Sequence, residues 1–207
     1  MSKTLSSKRW LKEHFTDDYV KRAQKEGYRS RAAYKLLEIQ KKDNFIKPGM
    51  TVVDLGAAPG GFTQVALKFV KSSGKIFALD LLPIVPIDNV EFIQGDFTRS
   101  EIIAELLAKV KNNKADVVLS DMSPNISGIA ASDQAKSIYL AELALEFVQT
   151  VLKPDGVFLV KLFQGIGFDE YLAVLRQNFK KVVIRKPKAS RDRSKELYVL
   201  AVGRKLI

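Results

Sequence analysis

From about Pro48 onward the chain alternates short β-branched runs with longer segments whose apolar residues recur at helical spacing. TVVDL (51–55), KIFALD (75–80), VEFIQGD (90–96), DVVLSD (116–121), GVFLVKLF (156–163), KKVVIRK (180–186) and ELYVLAV (196–202) read as seven strands. Helical patterns fall between them: near 63–71, from a Thr98 cap to about residue 110, and over 168–178. A longer helix is expected to open at Ser132 or Asp133 and to carry Leu140, Leu143, Ala144, Phe147, Val148 and Val151 inward. KPDG (153–156) should stop it, because Pro cannot continue a helix and Gly supplies the turn. Ahead of the first strand, Ser30 is expected to cap a helix running to about residue 42. Regular β/α alternation predicts an α/β fold: a mostly parallel seven-stranded sheet with helices on both faces. Only PKASRDRS joins the last two strands, so they should pair antiparallel at an edge. Residues 1–29 are expected to form a basic N-terminal segment and 30–207 a single domain.

Composition narrows the chemistry. Hydrophobic residues make up 46% of 207, enough for a core, and no apolar run reaches the roughly 18 to 20 residues that span a bilayer. The N-terminus is charged and lacks the apolar stretch of a secretory signal, so a cytoplasmic protein is expected. There is no Cys, which excludes disulfides, zinc–thiolate sites and thiol nucleophiles; a single His, His14, cannot build an imidazole metal cluster. No metal is expected. The chemistry must come from Lys, Asp, Glu, Ser, Tyr or a cofactor.

The net charge of +11 is unevenly spread. Residues 1–47 carry 13 Lys/Arg against 6 Asp/Glu, residues 48–175 carry 10 against 15, and residues 176–207 carry 11 against 2. Two basic ends bracket an acidic middle, the electrostatic footprint of a polyanion binder rather than of a membrane-surface helix.

In open α/β sheets a ligand lies beyond the carboxyl ends of the strands, where strand order reverses. Asp54–Gly61 occupies that place, and glycines at 56, 60 and 61 allow close backbone approach. The spacing in GAAPGG does not fit the dinucleotide fingerprint G-x-G-x-x-G, and Pro59 removes a donor that a pyrophosphate would need. Acids stand at the ends of the first four strands: Asp54, Asp80, Asp96 and Asp121. Asp80 suits a ribose diol, Asp96 an adenine amino group, and Asp121 lies where a sulfonium would sit. S-adenosylmethionine, leaving as S-adenosylhomocysteine, is therefore the expected cofactor, with Asp54 and Gly56 part of its loop. Independently, Lys161 interrupts the apolar strand GVFLVKLF, so its charge must reach a cleft or a partner, and Asp121 is its natural counter-ion.

With that loop in place, the chain resembles the FtsJ-like family of RNA ribose 2′-O-methyltransferases along nearly its whole length. The likeness is carried by SKRWLKEHFTDDYVKRAQKEGYRSRAAYKLLEIQ, DLGAAPGG, LDLLP, QGDF, SDMSPN, VKLFQG and RKPKASRDRSKELYVLA. The resemblance implies a Lys-Asp-Lys-Glu tetrad at Lys35, Asp121, Lys161 and Glu196, and cofactor contacts at Gly60, Phe62, Asp80, Asp96 and Asp121. Phe62 stands where closely similar members carry Trp, which keeps an aromatic ring but removes an indole N–H. Methyl transfer is an in-line displacement governed by positioning; Lys161 is expected to stabilise the developing alkoxide, assisted by Lys35, Asp121 and Glu196.

The resemblance further implies a uridine of large-subunit (23S) ribosomal RNA as acceptor, presented on the assembled subunit; a monomer is the base expectation, since no heptad repeat or conspicuous apolar surface run appears. Lys8, Arg9, Arg29, Arg31, Lys186, Arg191 and Arg193 are the candidate RNA contacts. A transfer-RNA ribose methyltransferase of the same family, or a non-catalytic RNA-binding assembly factor, are the alternatives.

Overall fold

Strand β1 (Thr51–Leu55) is buried along its whole length, as a central parallel strand built from Val and Leu should be. Its side chains alternate between two cores: Val53 and Leu55 face one, Val52 the other. The computed structural model describes residues 17–110, 114–191 and 193–205. Around β1 it arranges β2 (Lys75–Asp80), β3 (Val90–Gln94), β4 (Ala115–Ser120), β5 (Leu152–Phe163), β6 (Phe179–Arg185) and β7 (Glu196–Arg204) in the order β3-β2-β1-β4-β5-β7-β6.

Pairing is parallel from β3 through β5. Strand β7 is antiparallel to both β5 and β6. The expected antiparallel pairing of the last two strands is present, but β7 is inserted beside β5, and β6 alone forms that edge. This insertion sets Tyr198 opposite Lys161 and Glu196 opposite Phe163.

Six helices cover the sheet among the described residues. α1 (Asp18–Glu26), α2 (Ala32–Asp43) and α3 (Gly61–Val70) pack on one face; α4 (Ser100–Val110), α5 (Ala130–Val151) and α6 (Phe168–Asn178) pack on the other. Several local expectations need correction. Residues 17–29, the described part of the expected N-terminal segment, pack into the fold, because Ala23 of α1 and the following Tyr28 lie in the core with α2. Asp17 caps α1 by accepting from the Tyr19 and Val20 amides, and Gly27 ends it in the left-handed region. Ser30 does not cap α2; Arg31 stands there without a side-chain cap bond. Asp133 lies inside α5 and accepts from Ser127 and Gly128, closing the preceding loop rather than opening the helix. Likewise Thr98 donates to Asp96 ahead of α4. α5 ends at Val151, just ahead of KPDG as expected, and KPDG itself falls within β5, where the register shifts between Ala115 and Val117. No described helix is long and apolar enough to cross a membrane.

Candidate active site

Strand order reverses between β1 and β4, and a cleft opens at their carboxyl ends. The Asp121 amide donates to the Leu55 carbonyl, and the Gly56 and Ala57 amides donate to that of Leu79, so three strand ends are tied together. The resulting cleft, of ≈ 490 Å³, is lined by Gly56, Asp80, Asp96, Asp121, Met122 and Tyr139 among others.

Gly56 is required where the two loops meet. Its φ is +80°, and a Cβ would fall 2.7 Å from the Met122 amide nitrogen. The Asp80 carboxylate accepts from the Ala58 and Leu82 amides, both at 2.8 Å, which holds it rigidly at the end of β2. Asp96 accepts from the Thr98 amide and hydroxyl; those bonds keep its carboxyl below the usual range. This donor and acceptor set fits S-adenosylmethionine: fixed carboxylates for a ribose diol and an amino group, a third near a cation, and a wall without Cβ. Asp54, Gly60 and Phe62 are not on that wall. Asp54 is fully buried, accepts the Thr63 hydroxyl at 2.6 Å, and leaves Oδ1 without a hydrogen-bond partner. Burial, first, and the charges of Asp121 and Asp80 raise its carboxyl to about 7 despite the Thr63 bond. Gly60, at φ +112°, lies instead under Ile87 and Arg29. Phe62 packs in the core, its ring centroid 6.0 Å from that of Tyr198.

Beside the first cleft lies a second, of ≈ 480 Å³, lined by Arg31, Lys35, Lys161, Arg191, Arg193 and Glu196 together with Ser123, Ile126, Phe163 and Ser194. Ser123 lines both clefts. The four tetrad positions converge between them. Lys161 Nζ lies 3.0 Å from Asp121 Oδ1 and donates to the Asp121 carbonyl at 2.6 Å. Lys35 Nζ lies 2.6 Å from Glu196 Oε1, an ion pair by distance that is not aligned as a hydrogen bond. All four side chains are less than one-fifth exposed.

Tyr198 was not anticipated. Its hydroxyl donates to Asp121 Oδ1 at 2.7 Å, and burial, with the nearby carboxylates, holds it far above its ordinary range, so it stays a donor. The signal for it was period-2 alternation: two residues after Glu196, Tyr198 must share its face of β7.

The candidate RNA contacts divide. Arg31, Arg191 and Arg193 line the basic cleft. Arg31 pairs with Asp17 and donates to the Ala189 carbonyl, while Arg191 lies 3.8 Å from the same Asp17 carboxylate. Arg29 instead donates to the carbonyls of Pro59, Val85 and Pro86, and Lys186 to those of Ser194 and Glu196. Their donors hold loops together, which the charge alone could not reveal. Lys8 and Arg9 lie outside the described residues.

Residues 28–204 match the FtsJ-like methyltransferase family. The chain belongs to that family. It is 58% identical over 203 residues to the Ribosomal RNA large subunit methyltransferase E of Legionella pneumophila, covering 98% of each chain. The protein of that name from Marinobacter nauticus is 57% identical with the same coverage. A crystal structure of a ribosomal RNA methyltransferase from Plasmodium falciparum superposes with a TM-score of 0.77 at 30% identity, over 86% of this chain and 98% of that one. Human Methyltransferase-like protein 13, solved with S-adenosylhomocysteine, shares the fold at a TM-score of 0.58 and 17% identity, over 83% of this chain and 79% of that one. In this FtsJ-like chain the two clefts thus sit at the carboxyl ends of a methyltransferase sheet.

Proposed function

We propose that this FtsJ-like methyltransferase transfers a methyl group from S-adenosylmethionine to the 2′-hydroxyl of a uridine ribose in large-subunit (23S) ribosomal RNA, with the assembled subunit as substrate. The observation that carries the reading is the position of the Lys161–Asp121 pair, between a carboxylate-lined cleft and an arginine-lined one. The relatives' names point to the RNA class.

The first cleft suits the cofactor, which supplies an electrophilic methyl group when bound. Gly56, Asp80, Asp96 and Asp121 would hold it there. Asp54, Gly60 and Phe62 support the same loop from behind: Asp54 ties β1 to the start of α3, and Phe62 fills the core beneath Tyr198. In the second cleft, Arg31, Arg191 and Arg193 would draw the RNA backbone in without reading sequence. Lys161 has three N–H donors; one goes to the Asp121 carbonyl while the ammonium pairs with Asp121 Oδ1 at 3.0 Å, which leaves a donor for a ribose oxygen. A fixed ammonium there stabilises negative charge as it develops on the 2′-oxygen, in a site that needs no reorganisation. Lys35 and Glu196 sit one side chain further out and orient the acceptor. The enzyme works as a monomer in the cytoplasm, in one folded unit.

Incubation with methyl-labelled cofactor and, separately, large subunits, naked ribosomal RNA and transfer RNA tests this directly. Label should appear as one 2′-O-methyluridine in the large-subunit RNA. Label in transfer RNA alone, or none in any RNA despite cofactor binding, would overturn it.

A further inference from the structure

Contiguous apolar surface left exposed marks an interaction site or a ligand-binding groove. Ile126 is 75% exposed and Ile166 is 81% exposed. Both border a groove of ≈ 470 Å³ whose wall continues through Phe163, Pro124 and Ala131. Its walls are mainly apolar, unlike those of the arginine-lined cleft beside it. The two are nevertheless continuous, because Ser123, Ile126 and Phe163 line both. A ribose at Lys161 therefore has this groove within reach of whatever it carries.

One polar group in the groove has a fixed sense. Gln134 Nε2 donates to the carbonyls of Phe163 at 2.9 Å and Ile166 at 3.0 Å, and the amide lies against Gly165. Two carbonyl partners settle which end of the amide is nitrogen and occupy both of its hydrogens. Any hydrogen bond that Gln134 makes to an occupant must be one it accepts, at Oε1. Lys195, an exposed residue, also lines the groove, and its ammonium is a donor. The groove thus offers flat apolar contact with, among its polar groups, an acceptor at Gln134 and a donor at Lys195.

We propose that this groove seats the unpaired base of the acceptor nucleotide, stacked between Ile126, Ile166 and Phe163. In this arrangement Gln134 accepts from a base N–H and Lys195 donates to a base carbonyl, a pairing that the imino and carbonyl groups of uracil satisfy side by side. Charge divides as a nucleotide does: phosphates toward Arg191 and Arg193, ribose at Lys161, base in the apolar recess. The occupant is a nucleobase rather than an apolar peptide, because the recess is continuous with the cationic cleft that takes the ribose and phosphates. The inference rests on the reading of that cleft as the acceptor site. It adds a structural reason for a base to be drawn out of its stack, since a paired base cannot enter.

The experiment uses large ribosomal subunits lacking the modification. Ile126→Ala and Ile166→Ala, singly and together, should each raise KM for subunits about tenfold, the loss expected when apolar contact in a pocket is trimmed. Affinity for S-adenosylmethionine by calorimetry and the thermal midpoint should not move, because both side chains are exposed. Subunit RNA transcribed with 4-thiouridine and irradiated in the complex should crosslink to peptides bearing Ile126, Phe163 or Ile166. A double variant with unchanged KM, or crosslinks confined to other peptides while methylation proceeds, overturns the proposal. If the unaltered protein methylates no subunit RNA, it is the acceptor reading that fails, and the two failures are distinguishable.

Discussion

Lys161 and Tyr198 face each other across β5 and β7 and reach the same oxygen. Tyr198 donates to Asp121 Oδ1 at 2.7 Å, and Lys161 Nζ lies 3.0 Å from it. The insertion of an antiparallel β7 beside β5 is what creates this convergence. With Tyr198 holding the carboxylate and Lys161 both paired with it and donating to the Asp121 carbonyl, the ammonium is fixed in place at the boundary between the two clefts. A fixed charge there needs no rearrangement as the reaction proceeds.

Replacing Lys161 by Ala should therefore lower the rate of methyl transfer by about 10²–10⁴-fold, the range for a positioned group acting on a reacting oxygen. Single-turnover assays measure the rate, and calorimetry should show cofactor affinity within a few fold of the unaltered protein. A variant with near-normal turnover would remove Lys161 from the mechanism.

Tyr198→Phe removes the hydrogen bond to Asp121 Oδ1 and keeps the ring that packs on Phe62. Leaving a buried acceptor short of a partner costs about 1–3 kcal/mol, to be read by denaturant unfolding. Turnover should fall while the cofactor still binds, because Asp121 and Lys161 lose alignment together. With its hydroxyl held far above its ordinary range, Tyr198 should contribute no alkaline limb to the rate profile.

The sheet and the cofactor cleft are legible in the sequence because burial imposes patterns: continuous apolar runs at β1 and β4, acids at strand ends, a charge where Lys161 breaks β5. Tyr198 is not, since an aromatic residue in a strand reads as core until its neighbours across the sheet are known. Arg29 and Lys186 mislead in the opposite way. Their charge suggests phosphate, but their partners are backbone carbonyls, which carry no residue signature. The sequence also does not show where the Phe62 ring goes: it packs in the core, because α3 begins at Gly61 and turns that side chain inward. Helix α1 escapes detection because its few inward residues, Val20 and Ala23, make too sparse a stripe to outweigh its charges.

The Lys35–Glu196 pair is largely buried, so its two members should behave non-additively. Lys35→Met alone leaves Glu196 without its cation, and Glu196→Gln alone leaves Lys35 without its anion; each should destabilise the fold by about 3 kcal/mol. The double variant removes both charges and should recover part of that loss, giving a coupling well outside experimental error in denaturant unfolding. Strict additivity would show that the ion pair contributes nothing to the fold.

Asp54 makes the stability of the fold depend on pH in a direction opposite to that of most carboxylates. Its ordinary value is 3.8, and burial raises it to about 7 in the folded protein. Between those values the folded chain holds a proton that the unfolded chain has released. Stability conferred by the neutral carboxyl is complete below 3.8 and falls as pH rises toward 7, by up to about 1.4 kcal/mol per pH unit from this group. Above 7 both states are ionised and the slope from Asp54 vanishes. Asp54→Asn cannot titrate, so subtracting its stability profile from that of the unaltered protein isolates the effect. Urea unfolding of the cofactor-free protein across the weakly acidic range should give a difference that declines with pH and then levels off. A flat difference would mean that Asp54 is charged in the folded state and that its buried Oδ1 has found a partner.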